Sequence, residues 1–277
     1  MPELPEIAVL SDQMCGEVVG KTIVEVEVLQ PKNLNCLVNE FVENVVGHLI
    51  VSVKARGKWL FLELSDDLFL LINLGMGGDL LHYASNDVLP ETYTFKMGFS
   101  GGSGFTIKFW WFGYIHLVDR DGLKKHKMTG ELSLSPLDND FTLPYFRELL
   151  HNRRAQVKSF LLNQRRVAGI GNVYIQDILF KARLHPKRTV DTLTEVEVET
   201  LYQSMIDVLT LSVTMRGLQY ERDFYGNKGG FSNDQFLVGY KTGQPCPSCS
   251  TPIEKIRTGS TASYICPKCQ KANEVIQ

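Results

Sequence analysis

The sequence predicts an α+β chain: an antiparallel β-sandwich or barrel first, then a helical domain that ends in a metal-holding β-hairpin. Three observations carry this. Apolar residues alternate with polar ones in short runs over the first 110 positions, helical spacing takes over beyond position 143, and two Cys-x2-Cys knuckles stand near the end. A chain of 277 residues is too long for one small core and suits two domains of ordinary size.

Ile7, Leu10 and Met14 recur at helical spacing, and Gly16 marks the expected end of a first helix. Strands are expected over 23–28, 49–53, 59–64, 68–73 and 105–109, where alternating patterns are bounded by turn residues. Gly101-Gly102-Ser103-Gly104 reads as a hairpin turn and not a phosphate loop, because no helical pattern follows it. Residues 130–142, with their Ser, Pro, Asp and Asn, read as a linker. Helices are expected over 144–151, 155–163, 173–182 and 195–215, and the polar stretch 221–235 as a mobile loop. The expected domains are 1–132, a linker over 133–142, a helical domain over 143–235 and a metal-binding finger over 236–277.

Hydrophobic content of 44% and charged content of 22% are those of a soluble globular protein. No run approaches the ~18 consecutive apolar residues of a membrane span, and no basic-then-apolar leader opens the chain. The expectation is a cytoplasmic monomer with no membrane partner. The net charge of −2 hides an asymmetry: residues 1–142 hold 11 basic against 19 acidic side chains, and residues 143–277 hold 18 against 12. Within 153–188 stand nine basic residues and one acid, Asp177. Solvated helix faces usually mix signs, so this excess points to polyanion contact.

The opening Met1-Pro2-Glu3-Leu4-Pro5-Glu6 carries the candidate chemistry. Methionine before a small residue is readily trimmed, which would leave Pro2 with a free secondary amine. Such amino groups titrate near pH ~7.7–8.0, so a useful fraction is nucleophilic at neutral pH. Attack on a masked aldehyde would give an iminium, an electron sink for elimination, and Glu3 beside it could supply a proton. The structural alternative is that Pro and Glu simply open a helix, with acids near its positive end.

Four of the six cysteines form Cys246-x2-Cys249-x16-Cys266-x2-Cys269; Cys15 and Cys36 are left over. In a chain without a secretory signal this spacing reads as a four-thiolate zinc site. Two disulfides are the alternative, disfavoured in a reducing compartment. Four protein ligands leave no position for water, so the zinc would be structural. Between two expected helices lies Asn163-Gln164-Arg165-Arg166-Val167-Ala168-Gly169-Ile170-Gly171-Asn172, where two glycines permit close backbone approach to a phosphate.

Taken together, the chain resembles the formamidopyrimidine-DNA glycosylase / endonuclease VIII family of bifunctional base-excision repair enzymes over essentially its full length. Pro-Glu-Leu-Pro-Glu matches the family's opening, Gly-Lys-Trp-Leu-Phe-Leu-Glu-Leu (57–64) its catalytic-lysine strand, and Leu-Gly-Met-Gly-Gly (74–78) its wedge loop. Gly-Ile-Gly-Asn (169–172) matches its helix–two-turn–helix, and the knuckles match its zinc finger. The resemblance implies an N-terminal β-sandwich with flanking helices, a C-terminal helix–two-turn–helix domain and a zinc hairpin. It implies a double-stranded DNA partner carrying damaged bases or abasic sites. Pro2 would attack C1′ and displace the base, Glu3 would protonate the opening sugar, and Lys58 would contact phosphate and assist proton transfer. Met76 and Phe112 would fill the hole left by the extruded base. Arg154, Lys158, Asn172 and Lys241 align with phosphate-binding positions.

Several positions depart from the family pattern. Where it reads Asp-Pro-Arg-Arg-Phe-Gly, this chain reads Lys108-Phe109-Trp110-Trp111-Phe112-Gly113, so Trp110 replaces the arginine that reads the opposite base. Asn73 stands where a histidine is common, and Tyr93-Thr94-Phe95 replaces a histidine-bearing stretch. At the hairpin tip Thr261 replaces the arginine assigned to phosphate binding and δ-elimination. The reading is a glycosylase and abasic-site lyase for oxidised or ring-opened bases, with Met76 and Phe112 favouring the formamidopyrimidine branch. An endonuclease VIII-like preference for oxidised pyrimidines is the alternative within the enzyme class. A catalytically silent module that binds damaged DNA is the alternative outside it.

Overall fold

Alternation in the first half folds into two antiparallel sheets of four strands each. The computed structural model describes residues 1–272; residues 273–277, the end of the expected finger, lie outside the described residues. One sheet has the order β1 (Ile23–Val28), β6 (Phe95–Phe99), β7 (Gly104–Lys108), β5 (Asp79–Tyr83). The other has the order β2 (Ile50–Arg56), β3 (Trp59–Leu64), β4 (Leu68–Asn73), β8 (Tyr114–Asp119). Leu60, Leu62 and Leu64 of one sheet and Phe95, Met97 and Phe99 of the other enter a single core. Each such side chain contributes about 1.5–3 kcal/mol on leaving water. Of the sandwich or barrel that the alternation predicts, the chain forms the sandwich.

Helix α1 (Leu4–Val18) lays Ile7, Leu10, Met14 and Val18 into the same core, continuing two residues past the expected stop at Gly16. The short helices α2 (Val38–Val45) and α3 (Arg120–Lys125) and strands β5, β6 and β8 were not expected. β5 reads Asp-Leu-Leu-His-Tyr and β8 Tyr-Ile-His-Leu-Val-Asp, with too little alternation to stand out. The Gly101–Gly104 turn joins β6 to β7 as expected, with Gly101 at φ +95° and Gly102 at φ +84°.

Two units divide the chain. The first takes residues 1–131 and 215–230, and the second takes 132–214 and 231–277. The second holds α4 (Leu143–Leu150), α5 (Val157–Leu161), α6 (Ile175–Lys181) and α7 (Glu195–Thr214), then the hairpin β9 (Glu254–Thr258) and β10 (Thr261–Ile265). The four expected helices are present with ends shifted by no more than two residues, as fraying termini allow. Phe180 of α6 packs with Val238, Ile253, Tyr264 and two of the cysteines in a small core of its own. No helix among the described residues is long and apolar enough to cross a membrane.

The 215–230 segment has little regular structure but is tied to α1 and β5. Gln13 donates to Asp223 at 3.0 Å and accepts from the Phe224 amide at 2.8 Å. Tyr225 donates to Glu17 at 3.1 Å, and Phe224 sits in the sandwich core.

Candidate active site and metal centre

The amino end is built by a reciprocal cap. Glu3 is the N-cap of α1 and its carboxylate meets the Glu6 amide, while the Glu3 amide donates to Glu6 Oε2 at 2.8 Å. Glu6 Oε1 accepts from the Leu218 amide at 3.1 Å, so one buried carboxylate fixes both the first turn and the 215–230 segment. Gly217 is needed there: its φ is +81°, and a Cβ would fall 2.9 Å from Glu6 Oε1. Pro2 and Glu3 are both buried. The amino group, carried by Met1, lies 3.5 Å from Glu221 Oε1. Burial pushes the Glu221 carboxyl above its usual range; the amino terminus opposes this, and Asp79 and Glu3 add to it.

Half-buried Lys58 lies in the tight turn between β2 and β3, after Gly57 at φ +59°. Its carbonyl accepts from Asn73 Nδ2 at 2.8 Å, and Asn73 Oδ1 accepts from the Gly75 amide at 3.0 Å. The amide of Asn73 thus joins the lysine turn to the 74–78 loop. Gly75 abuts the next loop, since a Cβ on it would fall 1.5 Å from Phe112 O. Met76, Trp110 and Phe112 are exposed on these two interlocked loops. The structure therefore buries Pro2 beside Glu3, and links the Lys58 turn through Asn73 to the two loops that carry Met76, Trp110 and Phe112, all within the first unit.

In the second unit Lys158 of α5 is buried, and Nζ donates to Thr261 Oγ1, Ala262 O and Ser263 Oγ at 3.0, 2.6 and 2.9 Å. Burial pulls its pKa down to about 8. Gln176 of α6 accepts from the Tyr264 amide at 3.1 Å and donates to Asn172 O at 2.8 Å, linking Asn172 to the same hairpin. Lys241 donates to Phe236 O, and exposed Arg154 lies 3.7 Å from Asp191. The Gly169 amide donates to Gln164 Oε1 at 2.8 Å, so Gln164 ties down part of the expected phosphate loop.

The four cysteine sulfurs, from Cys246, Cys249, Cys266 and Cys269, lie within 4.8 Å of one another. Zn–S bonds of ~2.3 Å at tetrahedral angles require S···S edges of ~3.8 Å. The observed separations are 3.8 Å for Cys246–Cys269, 3.4 Å for Cys249–Cys266 and 3.5 Å for Cys249–Cys269. A disulfide needs ~2.05 Å, so the alternative of two disulfides is set aside. Contacts with Thr251 draw the Cys249 thiol down to about 6, while burial pushes Cys266 and Cys269 up. Packing four such thiols together suits a cation at their centre.

Three family models match in order. The formamidopyrimidine-DNA glycosylase N-terminal domain matches residues 1–110, its H2TH domain matches 132–222, and the zinc finger found in FPG and IleRS matches 243–272. A formamidopyrimidine-DNA glycosylase of Pelotomaculum thermopropionicum is 37% identical, over 98% of this chain and 99% of that one. The chain belongs to the formamidopyrimidine-DNA glycosylase family. A relative of the same description from Chloroflexus aurantiacus is 34% identical over 98% of both chains. Among solved structures, a complex of Lactococcus lactis Fpg with abasic-site DNA superposes with a TM-score of 0.87 at 26% identity, covering 97% of this chain and 99% of that one. MutM bound to carbocyclic 8-oxo-G DNA gives 0.86 at 28% identity, covering 98% and 100%.

As in the finger that this family carries, one structural zinc is held by the four cysteines. Sequence reasoning gave no role to Glu6, Asn73 or Glu221. The Glu3-x-x-Glu6 spacing ahead of an apolar run is a capping-box signal that finds Glu6. Nothing in the sequence ties Glu221 to the amino terminus; the fold alone brings them together.

Proposed function

We propose that this protein is a base-excision DNA glycosylase that removes oxidised or ring-opened bases and then cleaves the abasic strand as a class I lyase. The observation that carries this is the buried Pro2–Glu3 pair, capped by Glu6 at the start of α1. With Met1 removed, the Pro2 nitrogen attacks C1′ and the base departs with its electron pair. Glu3 protonates the ring oxygen as the sugar opens to an iminium. Loss of a proton from C2′ then expels the 3′ phosphate, and water releases the protein. Lys58 contacts phosphate and assists these proton transfers. Met76 and Phe112 enter the space left by the extruded nucleotide.

Arg154, Asn172 and Lys241 hold the DNA backbone on this reading. Lys158 reaches a phosphate only by surrendering one of its three oxygens, since an ammonium has three protons. Its first role is to place the hairpin tip. The complexes of similar proteins with abasic-site, FAPY-dG and 8-oxo-G DNA support damaged double-stranded DNA as the partner. The protein acts as a monomer in the cytoplasm.

Borohydride trapping tests this reading. Met1-trimmed protein should form a covalent adduct with abasic or 8-oxoguanine duplex, because the Pro2 iminium is reducible. An added N-terminal residue should abolish it. Undiminished trapping in the extended protein would assign the nucleophile to another amine.

A further inference from the structure

The connection between β7 and β8 carries four aromatic residues in a row, Phe109 to Phe112. Phe109 is buried, but Trp110 is 60% exposed, Trp111 78% and Phe112 39%, with Met76 of the adjoining loop at 48%. Trp110 has Lys108 Nζ over its ring at 4.3 Å. Trp111 makes no hydrogen bond, ring contact or cation contact with any described residue. Each tryptophan can bury ~150–250 Å² against a partner, so two adjacent exposed indoles mark an interaction surface.

The backbone beneath these rings is held. Gly75 abuts Phe112 O, Asn33 Nδ2 donates to Gly113 O at 2.6 Å, and the Phe109 amide donates to Thr94 Oγ1 at 3.1 Å. The loop therefore presents the indoles on a fixed base. Size then selects the partner. On the reading proposed above, Met76 and Phe112 occupy the space left by one extruded nucleotide. Beyond that space and the orphaned base opposite it, which Trp110 faces on the same reading, an intact duplex offers nothing to Trp111, because its other bases stack on each other. Trp110 and Trp111 also carry no charge with which to neutralise phosphate. Unpaired bases fit both facts: each has a π face, and without a partner strand it can swing out to stack.

We propose that Trp110 and Trp111 form a stacking platform for unpaired nucleotides, so that the protein engages lesions in single-stranded or locally unpaired DNA as tightly as in paired duplex. This rests on the proposed function, in which these loops face the DNA.

Indole fluorescence tests it directly. The chain has three tryptophans, and Trp59 is buried against Tyr114, so exposed-indole quenching reports on Trp110 and Trp111. The full chain is titrated, at one salt concentration, with oligonucleotides bearing a tetrahydrofuran abasic analogue in a single strand, in a bubble and in a paired duplex. The expected result is quenching by the first two, with Kd values no weaker than for the paired duplex. Trp111→Ala should weaken the unpaired substrates relative to the paired one by about five- to a hundredfold, as loss of one stacked base does, and Trp111→Phe should restore most of it. Weaker binding of the unpaired substrates by the unmodified protein would overturn the proposal. So would an equal loss on all three substrates in Trp111→Ala. Borohydride trapping on paired abasic duplex is run alongside: its failure sinks the glycosylase–lyase reading, whereas intact trapping with weak unpaired binding sinks only the platform.

Discussion

Lys158 Nζ lies 3.0 Å from Thr261 Oγ1, and the same ammonium bonds Ala262 O and Ser263 Oγ, so α5 holds the tip of the zinc hairpin through a buried cation. Its acceptors are a carbonyl and two hydroxyls, with no carboxylate among them. A charge buried without an opposite charge is held at a cost, and that cost is visible in the depressed pKa of about 8.

The sign of the resulting pH dependence follows from linkage. A lysine whose folded pKa lies below its unfolded value binds its proton more tightly when unfolded, so stability rises with pH from about 8 up to the ordinary lysine value of 10.5. Below that window the cost is constant. Lys158→Met removes the titration, so the unmodified protein should gain on the variant by up to about 1.4 kcal/mol per pH unit across the window. Urea midpoints measured in parallel from pH 7 to 10 check this. A difference that stays flat would contradict a buried ammonium.

Zinc removal should act locally. The four thiolates supply folding energy to the segment around β9 and β10, and that segment forms a small core with Phe180. Chelation, or Cys266→Ala, should strip hydrogen-exchange protection from residues 245–270 while the two sheets of the sandwich keep theirs. DNA binding should weaken. Equal loss of protection in both units would contradict a local role, and reduced protein without bound zinc would defeat the metal assignment.

What could be read in advance followed from how local each signal was. The cysteine spacing, the helix of Ile7, Leu10 and Met14, and the alternation of Ile23–Val28 are short-range patterns, and each stands where it was expected. Lys158 was legible as a basic residue in a basic segment, but its partners lie about a hundred positions later. The joining role of Asn73 depends on two loops meeting, which no periodicity reports. Glu221 is the extreme case. Its acid sits in a polar stretch that reads as a mobile loop, yet in the fold it is buried beside the amino terminus.

Trp110 should relax discrimination among bases opposite the lesion. An arginine offers a bidentate donor fork to a base edge, whereas indole offers one N–H and a face. A good bidentate pair is worth ~1–3 kcal/mol of discrimination, so its absence should narrow activity ratios by roughly five- to a hundredfold. A panel of one lesion against each of the four bases measures this. Strong preference for cytosine in the unmodified protein would mean that another donor reads the opposite base.

On the proposed reading, Thr261 should decide the final product. Its hydroxyl already accepts from Lys158 and faces Thr258 O at 3.4 Å, so it offers no free donor and no charge to a departing phosphate. The nearest cationic candidate on the hairpin is Arg257, whose Nε donates to Gly259 O at 3.2 Å and is thereby drawn back onto its own turn. A second elimination has to release the 5′ phosphate of the same sugar, and with the Lys158 protons held by the tip's own oxygens and no arginine at position 261 its developing charge goes unmet. The protein should therefore cleave abasic DNA mainly by β-elimination, leaving a 3′ unsaturated aldehyde, with the 3′-phosphate δ-product slow or absent. Thr261→Arg should raise the δ fraction and leave base release as it was, since the tip takes no part in attack at C1′. A denaturing gel resolves the two products. Predominant δ-product from the unmodified protein would show that Arg257 leaves Gly259 to do the work, or that no cation is required at the tip.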